Sequence, residues 1–141
     1  MIVTFCGHKD IYGADWLQDK LVKTVEQLIR EGADTFYLGG YGGFDSLAAS
    51  TVKEMKQQHP EIRSVLVLPY LDRQYNDAFY DETTYPSLEE VPRRYAISRR
   101  NEWMVDQSDV IVAYVDHGWG GAAKTLEYAR RKKKRIIQIN T

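Results

Sequence analysis

The chain has 141 residues, 43% of them hydrophobic and 28% charged, with a formal net charge of −1. That length and balance fit one globular domain, 1–141, and the lack of a basic excess argues against an extended nucleic-acid surface. No apolar run is long enough to span a bilayer, Met1 leads directly into a strand-like run, and the single cysteine, Cys6, cannot form an internal disulfide. The expectation is a cytoplasmic protein with no membrane partner.

In chain order, short β-rich runs alternate with amphipathic stretches, the pattern of βα units around a mainly parallel sheet of about five strands. The strand-like runs are 2–6, 34–38, 63–68, 109–115 and 135–139. Between the first two, Leu17, Leu21, Val25 and Leu28 recur at helical spacing and Gly32 supplies a stop. After Gly43, Phe44, Ala48, Val52 and Met55 mark a second helix, with Asp45 in its first turn where negative charge suits the helix dipole. Residues 96–107 predict a third helix and 121–132 a fourth. The segment 70–95 is too long for an ordinary connection and carries Tyr70, Tyr75, Phe79, Tyr80, Tyr85 and Tyr95. It reads either as a lid whose rings stack on a base or as an insertion covering the sheet edge or making a dimer contact.

Eight of the ten glycines fall in four groups, Gly7, Gly39-Gly40, Gly42-Gly43 and Gly118/Gly120-Gly121, each after an apolar run and before a helix-like stretch. Glycine permits sharp turns and close backbone approach, and a following helix offers unpaired N–H groups, so these loops are where a phosphate site belongs. In 39–46 the amides either cradle a phosphate, with Asp45 bonding a ribose hydroxyl, or make a tight turn that Asp45 caps. The run 118–125 departs from a nucleotide-hydrolase P-loop at Ala123, so phosphate held by its amides and Thr125, without ATP hydrolysis, is the expectation. In the third helix, Ile97 and Met104 define an inward face that also carries Arg100 and Asn101, while Arg99 points away. A buried arginine needs partners, and the glycine loops favour a ligand over a neighbouring carboxylate. His8 sits at the mouth of the first strand, bonding either ligand or backbone. His8, His59 and His117 lie far apart in sequence, and no metal or other cofactor is expected. The basic run 130–135 reads as a solvated helix end.

Four ordered motifs together carry a family resemblance: Gly7-His8-Lys9; Gly39-Gly40-Tyr41-Gly42-Gly43-Phe44-Asp45; Arg99-Arg100-Asn101-Glu102-Trp103-Met104; and Gly120-Gly121 with Thr125 and Glu127. The chain resembles the SLOG superfamily, nearest its compact YpsA-like proteins. The resemblance implies a Rossmann-like three-layer α/β/α fold. It also implies binding of a nucleotide or nucleotide derivative, of the ADP-ribose, NAD or nucleoside-phosphate type, at the C-terminal strand ends. The loops, the third helix and the resemblance together give as candidate ligand contacts Gly7, His8, Gly39, Gly40, Gly42, Gly43, Phe44, Asp45, Arg100, Asn101, Gly118, Gly120, Gly121, Lys124 and Thr125. A binding or sensing module without turnover is the primary expectation. The alternative is the LOG-like phosphoribohydrolase reaction, with Glu127 and Arg100 as catalytic residues, although Trp119, Ala123 and Lys124 depart from that signature. Single-stranded DNA binding of the DprA type is the third reading. Assembly as a homodimer or larger homo-oligomer is expected of such a domain.

Overall fold

The computed structural model describes residues 1–75 and 77–140. Six strands form one parallel sheet: β1 (Ile2–Gly7), β2 (Thr35–Leu38), β3 (Arg63–Val67), β4 (Glu82–Thr84), β5 (Val110–Tyr114) and β6 (Arg135–Gln138). Their order across the sheet is β4-β3-β2-β1-β5-β6. Four helices, α1 (Ala14–Arg30), α2 (Gly43–Met55), α3 (Ala96–Gln107) and α4 (Gly121–Arg131), make the crossovers. The result is the expected Rossmann-like arrangement, with α1 and α2 on one face and α3 and α4 on the other.

Alternation along β1 sets the layers, since successive strand side chains point to opposite faces. Val3 and Phe5 join the core under α1 and α2, where Leu17, Leu21, Val25 and Leu28 are all fully buried with Phe44, Ala48 and Val52. Cys6, on the opposite face, packs with Val105 of α3 and Leu126 and Ala129 of α4. α1 ends as its sequence predicts. The N–H of Gly32 donates to Ile29 O and that of Ala33 to Leu28 O, a pair of bonds that requires the φ of +110° found at Gly32.

The strand beyond the expected five is β4, inside the tyrosine-rich segment. Its Glu-Thr-Thr sequence has no apolar residue, so hydrophobic patterning cannot reveal it. Polar ties hold it instead: Asp81 accepts the Ser64 N–H at 2.8 Å and pairs with Lys56 at 2.7 Å, and Arg63 pairs with Glu82. Phe79 and Tyr80 pack against the core that α1 and α2 cover, and the stretch around Tyr70 is tied within the segment. Arg93 forks onto Asp72 at 3.0 and 3.2 Å, and Arg73 and Arg93 both lie over the Tyr70 ring.

Candidate ligand-binding site at the strand-order reversal

From β1 the chain runs outward to β2, β3 and β4, then crosses back to β5 and β6 on the other side of β1. Loops leaving β1 and β5 therefore diverge, and in such sheets the crevice between them is where ligands bind. A cavity of about 590 Å³ occupies that place. Its floor is Phe5, Cys6 and Met104; its walls come from Gly7–Asp10, Gly39, Asp45, Arg100, Asn101 and the 116–125 loop and helix start.

The glycine groups divide into two kinds. Around 39–43 the backbone amides are already engaged: the Gly43 N–H donates to Lys9 O at 2.7 Å, Phe44 N–H to His8 O at 3.2 Å, and Tyr41 N–H to the Asp45 carboxylate at 3.1 Å. These glycines permit close packing. A Cβ on Gly43 would lie 2.7 Å from Lys9 O, and one on Gly7 would lie 2.2 Å from the Phe44 ring. The loop after β1 thus lies directly across the start of α2. At α4 the situation is reversed. The N–H groups of Gly121, Ala122 and Ala123 have no acceptor among the described residues, and a Cβ on Gly118 or Gly121 would meet open space. Gly120, at φ +93°, leads into this first turn, and Gly121 and Ala122 line the cavity.

Arg100 is only 3% exposed and holds two strand ends together, its Nη1 donating to Gly39 O at 2.7 Å and Val67 O at 2.9 Å. Its Nε donates to Asn101 Oδ1 at 2.9 Å, which turns the Asn101 amide nitrogen away from Arg100. Burial pulls the guanidinium down from its usual range, and nearby Asp45 opposes that shift. Burial likewise pushes the Asp45 carboxyl up, against the Tyr41 amide bond and the Arg100 charge. The partners of Arg100 are thus carbonyls and a side-chain amide, with Asp45 as its charge complement.

At the mouth, three rings form a column. His8 stacks on His117 with centroids 3.8 Å apart, and His117 stacks on Trp119 at 3.9 Å. His8 Nε2 accepts the Asp116 N–H at 2.9 Å and lies equally close to Asp116 Oδ1. One nitrogen cannot accept the amide and donate to the carboxylate at once, so the first contact needs a bare Nε2 and the second an Nε2 that carries a proton. Sequence distance concealed this pairing, which follows from β1 and β5 being neighbours. His8, Asp116 and His117 bring three ligand-type atoms within 4.8 Å of one another. Nearly parallel rings, 14° apart, aim their lone pairs along separate planes, so one ion cannot lie on both axes without ring rotation.

Of the residues expected to contact ligand, the structure gathers Gly7, His8, Gly39, Asp45, Arg100, Asn101, Gly120, Gly121 and Thr125 around the cavity. Gly40, Gly42, Gly43, Gly118 and Lys124 do not line it, and Phe44 is a fully buried core residue. Glu127 also lies outside: its side chain is 62% exposed and faces Arg130 at 4.0 Å. Among the lining residues not foreseen are three exposed aromatic rings, joined by Ile97. Tyr12, Tyr41, Ile97 and Trp119 rim the cavity and are four of the six exposed large hydrophobic side chains among the described residues. None of the described residues of 70–95 lines it.

Comparison with known proteins agrees with this architecture. The chain is 28% identical over 139 residues to an uncharacterized SPbeta prophage-derived protein, YoqJ, of Bacillus subtilis, covering 82% of this chain and 81% of that one. It is 25% identical to a UPF0398 protein of Halalkalibacterium halodurans, covering 86% and 71% of the two chains. Among solved structures it is similar to DNA processing protein A from Helicobacter pylori, described for its single-stranded DNA binding mode, with a TM-score of 0.70 and 16% identity. It is likewise similar to DprA from Streptococcus pneumoniae, with a TM-score of 0.72 and 16% identity. It spans 66% and 50% of those two chains, so this likeness concerns the fold. No helix among the described residues is long and apolar enough to cross a membrane. Residues 7–140 match the YpsA profile, the YspA SLOG family, and the chain belongs to that family.

Proposed function

We propose that the chain binds a phosphorylated nucleotide or nucleotide derivative in the cavity between the β1 and β5 loops, as a ligand-binding or sensing module. The observation that carries this reading is the start of α4, where Gly121 and Ala122 line the cavity and their N–H groups have no acceptor among the described residues. Unpaired N–H groups at a helix N-terminus, with the positive end of its dipole, suit a phosphate. Asp45 and Asn101 then face the sugar, and the aromatic rim takes the base. Of the glycines at 39–43 only Gly39 lines the wall, and the nearby amides of Tyr41, Gly43 and Phe44 are spent on Asp45, Lys9 and His8.

Hydrolysis of the N-glycosidic bond gains little from this geometry, because Glu127 points to solvent beside Arg130. Single-stranded DNA binding has one observation in its favour: the exposed rings of Tyr12, Tyr41 and Trp119 share one rim, as stacking surfaces for successive bases do. The formal charge of −1 and the carboxylates Asp10, Asp45 and Asp116 in the lining oppose a polyanion. A thermal-shift and calorimetric screen of AMP, ADP-ribose, NAD and a short single-stranded oligonucleotide, with chromatography of each mixture, tests the three together. Saturable binding of intact mononucleotide is the expected result. Base release would establish the hydrolase, and binding of the oligonucleotide alone, weakening steeply with salt, would establish the DNA reading.

A further inference from the structure

The charges around the cavity are unevenly placed. Arg100 and Asp45 offset each other on the inner wall, and Lys9 lies on the Tyr41 side, 6.0 Å from that ring's centroid. The opposite side of the mouth carries Asp116, with a side chain 59% exposed, whose charged-group neighbours are the two imidazoles. Beside it stands the 73% exposed indole of Trp119, stacked on His117. An open indole next to a carboxylate with no lysine or arginine partner among the described residues is a poor match for an electron-rich neutral ring and a good match for a cationic one. Indole is the strongest of the side-chain π faces for a cation, and an adjacent carboxylate adds direct Coulomb attraction.

We infer that the mouth selects a nucleotide whose heteroaromatic ring carries a positive charge, the ring stacking on Trp119 beside Asp116 while the phosphate sits on the start of α4. This rests on the nucleotide reading above and deepens it, since Trp119 immediately precedes the Gly120 cap of α4 and so stands beside the phosphate seat. The partly positive N-terminus of α4 faces the anionic end of the ligand and Asp116 faces the cationic end. The net charge of the lining does not favour a triphosphate, because Lys9 and Arg100 face three carboxylates. A low-charge ligand with internal charge separation fits both ends. Two chemical sources supply such a ring: a pyridinium nucleotide and an N-methylated purine nucleotide.

Matched probes isolate the ring charge. Calorimetry would compare nicotinamide mononucleotide with its reduced dihydropyridine form, and 7-methylguanosine monophosphate with guanosine monophosphate. The charged member of at least one pair is expected to bind about tenfold more tightly, the factor a partly exposed cation–π contact with a nearby carboxylate supplies. Which pair shows the preference identifies the source. Asp116→Asn keeps the backbone N–H that bonds His8, and is expected to bring the charged-to-neutral ratio towards one. Trp119→Ala should weaken both members and Trp119→Phe should keep the preference, with a thermal melt of each variant verifying its fold. Equal affinities within both pairs, or a preference that survives Asp116→Asn, would overturn the inference and leave the nucleotide reading standing. Failure of all four probes to bind would overturn the nucleotide reading itself, and this inference with it.

Discussion

At the scale of single residues, this site depends on two adjacent positions, Cys6 in its floor and Gly7 in its wall, whose roles are protective and steric. Gly7 has no side chain because the Phe44 ring occupies the space a Cβ would need, at 2.2 Å. Gly7→Ala is therefore expected to lower stability by about 3 kcal/mol, since both the strand and the ring are fixed by packing. A denaturation midpoint equal to wild type would show that the loop shifts freely. Cys6 is 6% exposed and its Sγ donates to Ala122 O, and burial pushes the thiol up to about 12 from 9.0. The folded chain should resist alkylation at pH 8 under conditions in which the unfolded chain reacts at once. The sign of the pH effect follows from linkage. With the folded value raised, stability is intact below the unfolded value of 9.0 and is lost as pH climbs towards about 12. The loss is about 1 kcal/mol near pH 10, and Cys6→Ala should flatten that slope in urea titrations at several alkaline pH values.

At the scale of elements, the two glycine-led helices look alike in sequence and behave differently. Gly42-Gly43 and Gly120-Gly121 each precede a helix, and each first glycine has positive φ, +94° and +93°. Only in the second helix do the first three N–H groups all lack an acceptor among the described residues, because α2 lies beneath the loop after β1 and donates to it. Local sequence states that a turn enters a helix. Which backbone lies against that turn is a matter of topology, so the loop at 39–46, the stronger signal in sequence, is the less available of the two, and the loop at 118–125 the more available. Gly121→Pro tests the distinction. Proline is tolerated at the first helical position and removes one N–H, and a side chain there meets open space. The variant should fold with wild-type stability and bind AMP or pyrophosphate about tenfold to a hundredfold more weakly, the range for losing a charge-assisted hydrogen bond. Unchanged affinity would remove α4 from the phosphate site.

The helical face of α3 was legible for a different reason. A period of 3.6 residues places Arg100 beside Met104, and both are 3% exposed. What the pattern could not state was the partner: Arg100 spends Nη1 on the carbonyls of Gly39 and Val67, the ends of β2 and β3, and so joins strands that the sequence separates by long intervals. Ile97, expected inward with it, is 38% exposed and lines the cavity. The face was right, and the crevice begins where the core ends. The His8–His117 stack was illegible for the complementary reason, because its two rings are 109 positions apart and meet only through the β1–β5 pairing.

At the scale of the whole molecule, hydrogen exchange can separate the fold from the site. β1 and β5 lie inside the sheet with both faces covered, so their amides should exchange slowest. β4 is a three-residue edge strand held by polar ties, and it should exchange among the fastest of the strands. Ligand binding adds protection only where contacts form or a local opening is suppressed. If the cavity is the site, a saturating nucleotide should slow exchange in 7–12 and 118–124, whose loops face each other across the strand-order reversal, and leave 70–95 unchanged, because none of its described residues lines the cavity. Protection spreading into 70–95 would instead mean that the tyrosine-rich segment closes over the ligand, breaking the Arg93–Asp72 fork and the cation–π contacts on Tyr70 to do so. Those ties are exposed and individually weak, so a ligand that gained stacking on one or two tyrosines could offset their loss. The exchange pattern decides between a preformed cavity and a closing one without requiring that the ligand be turned over.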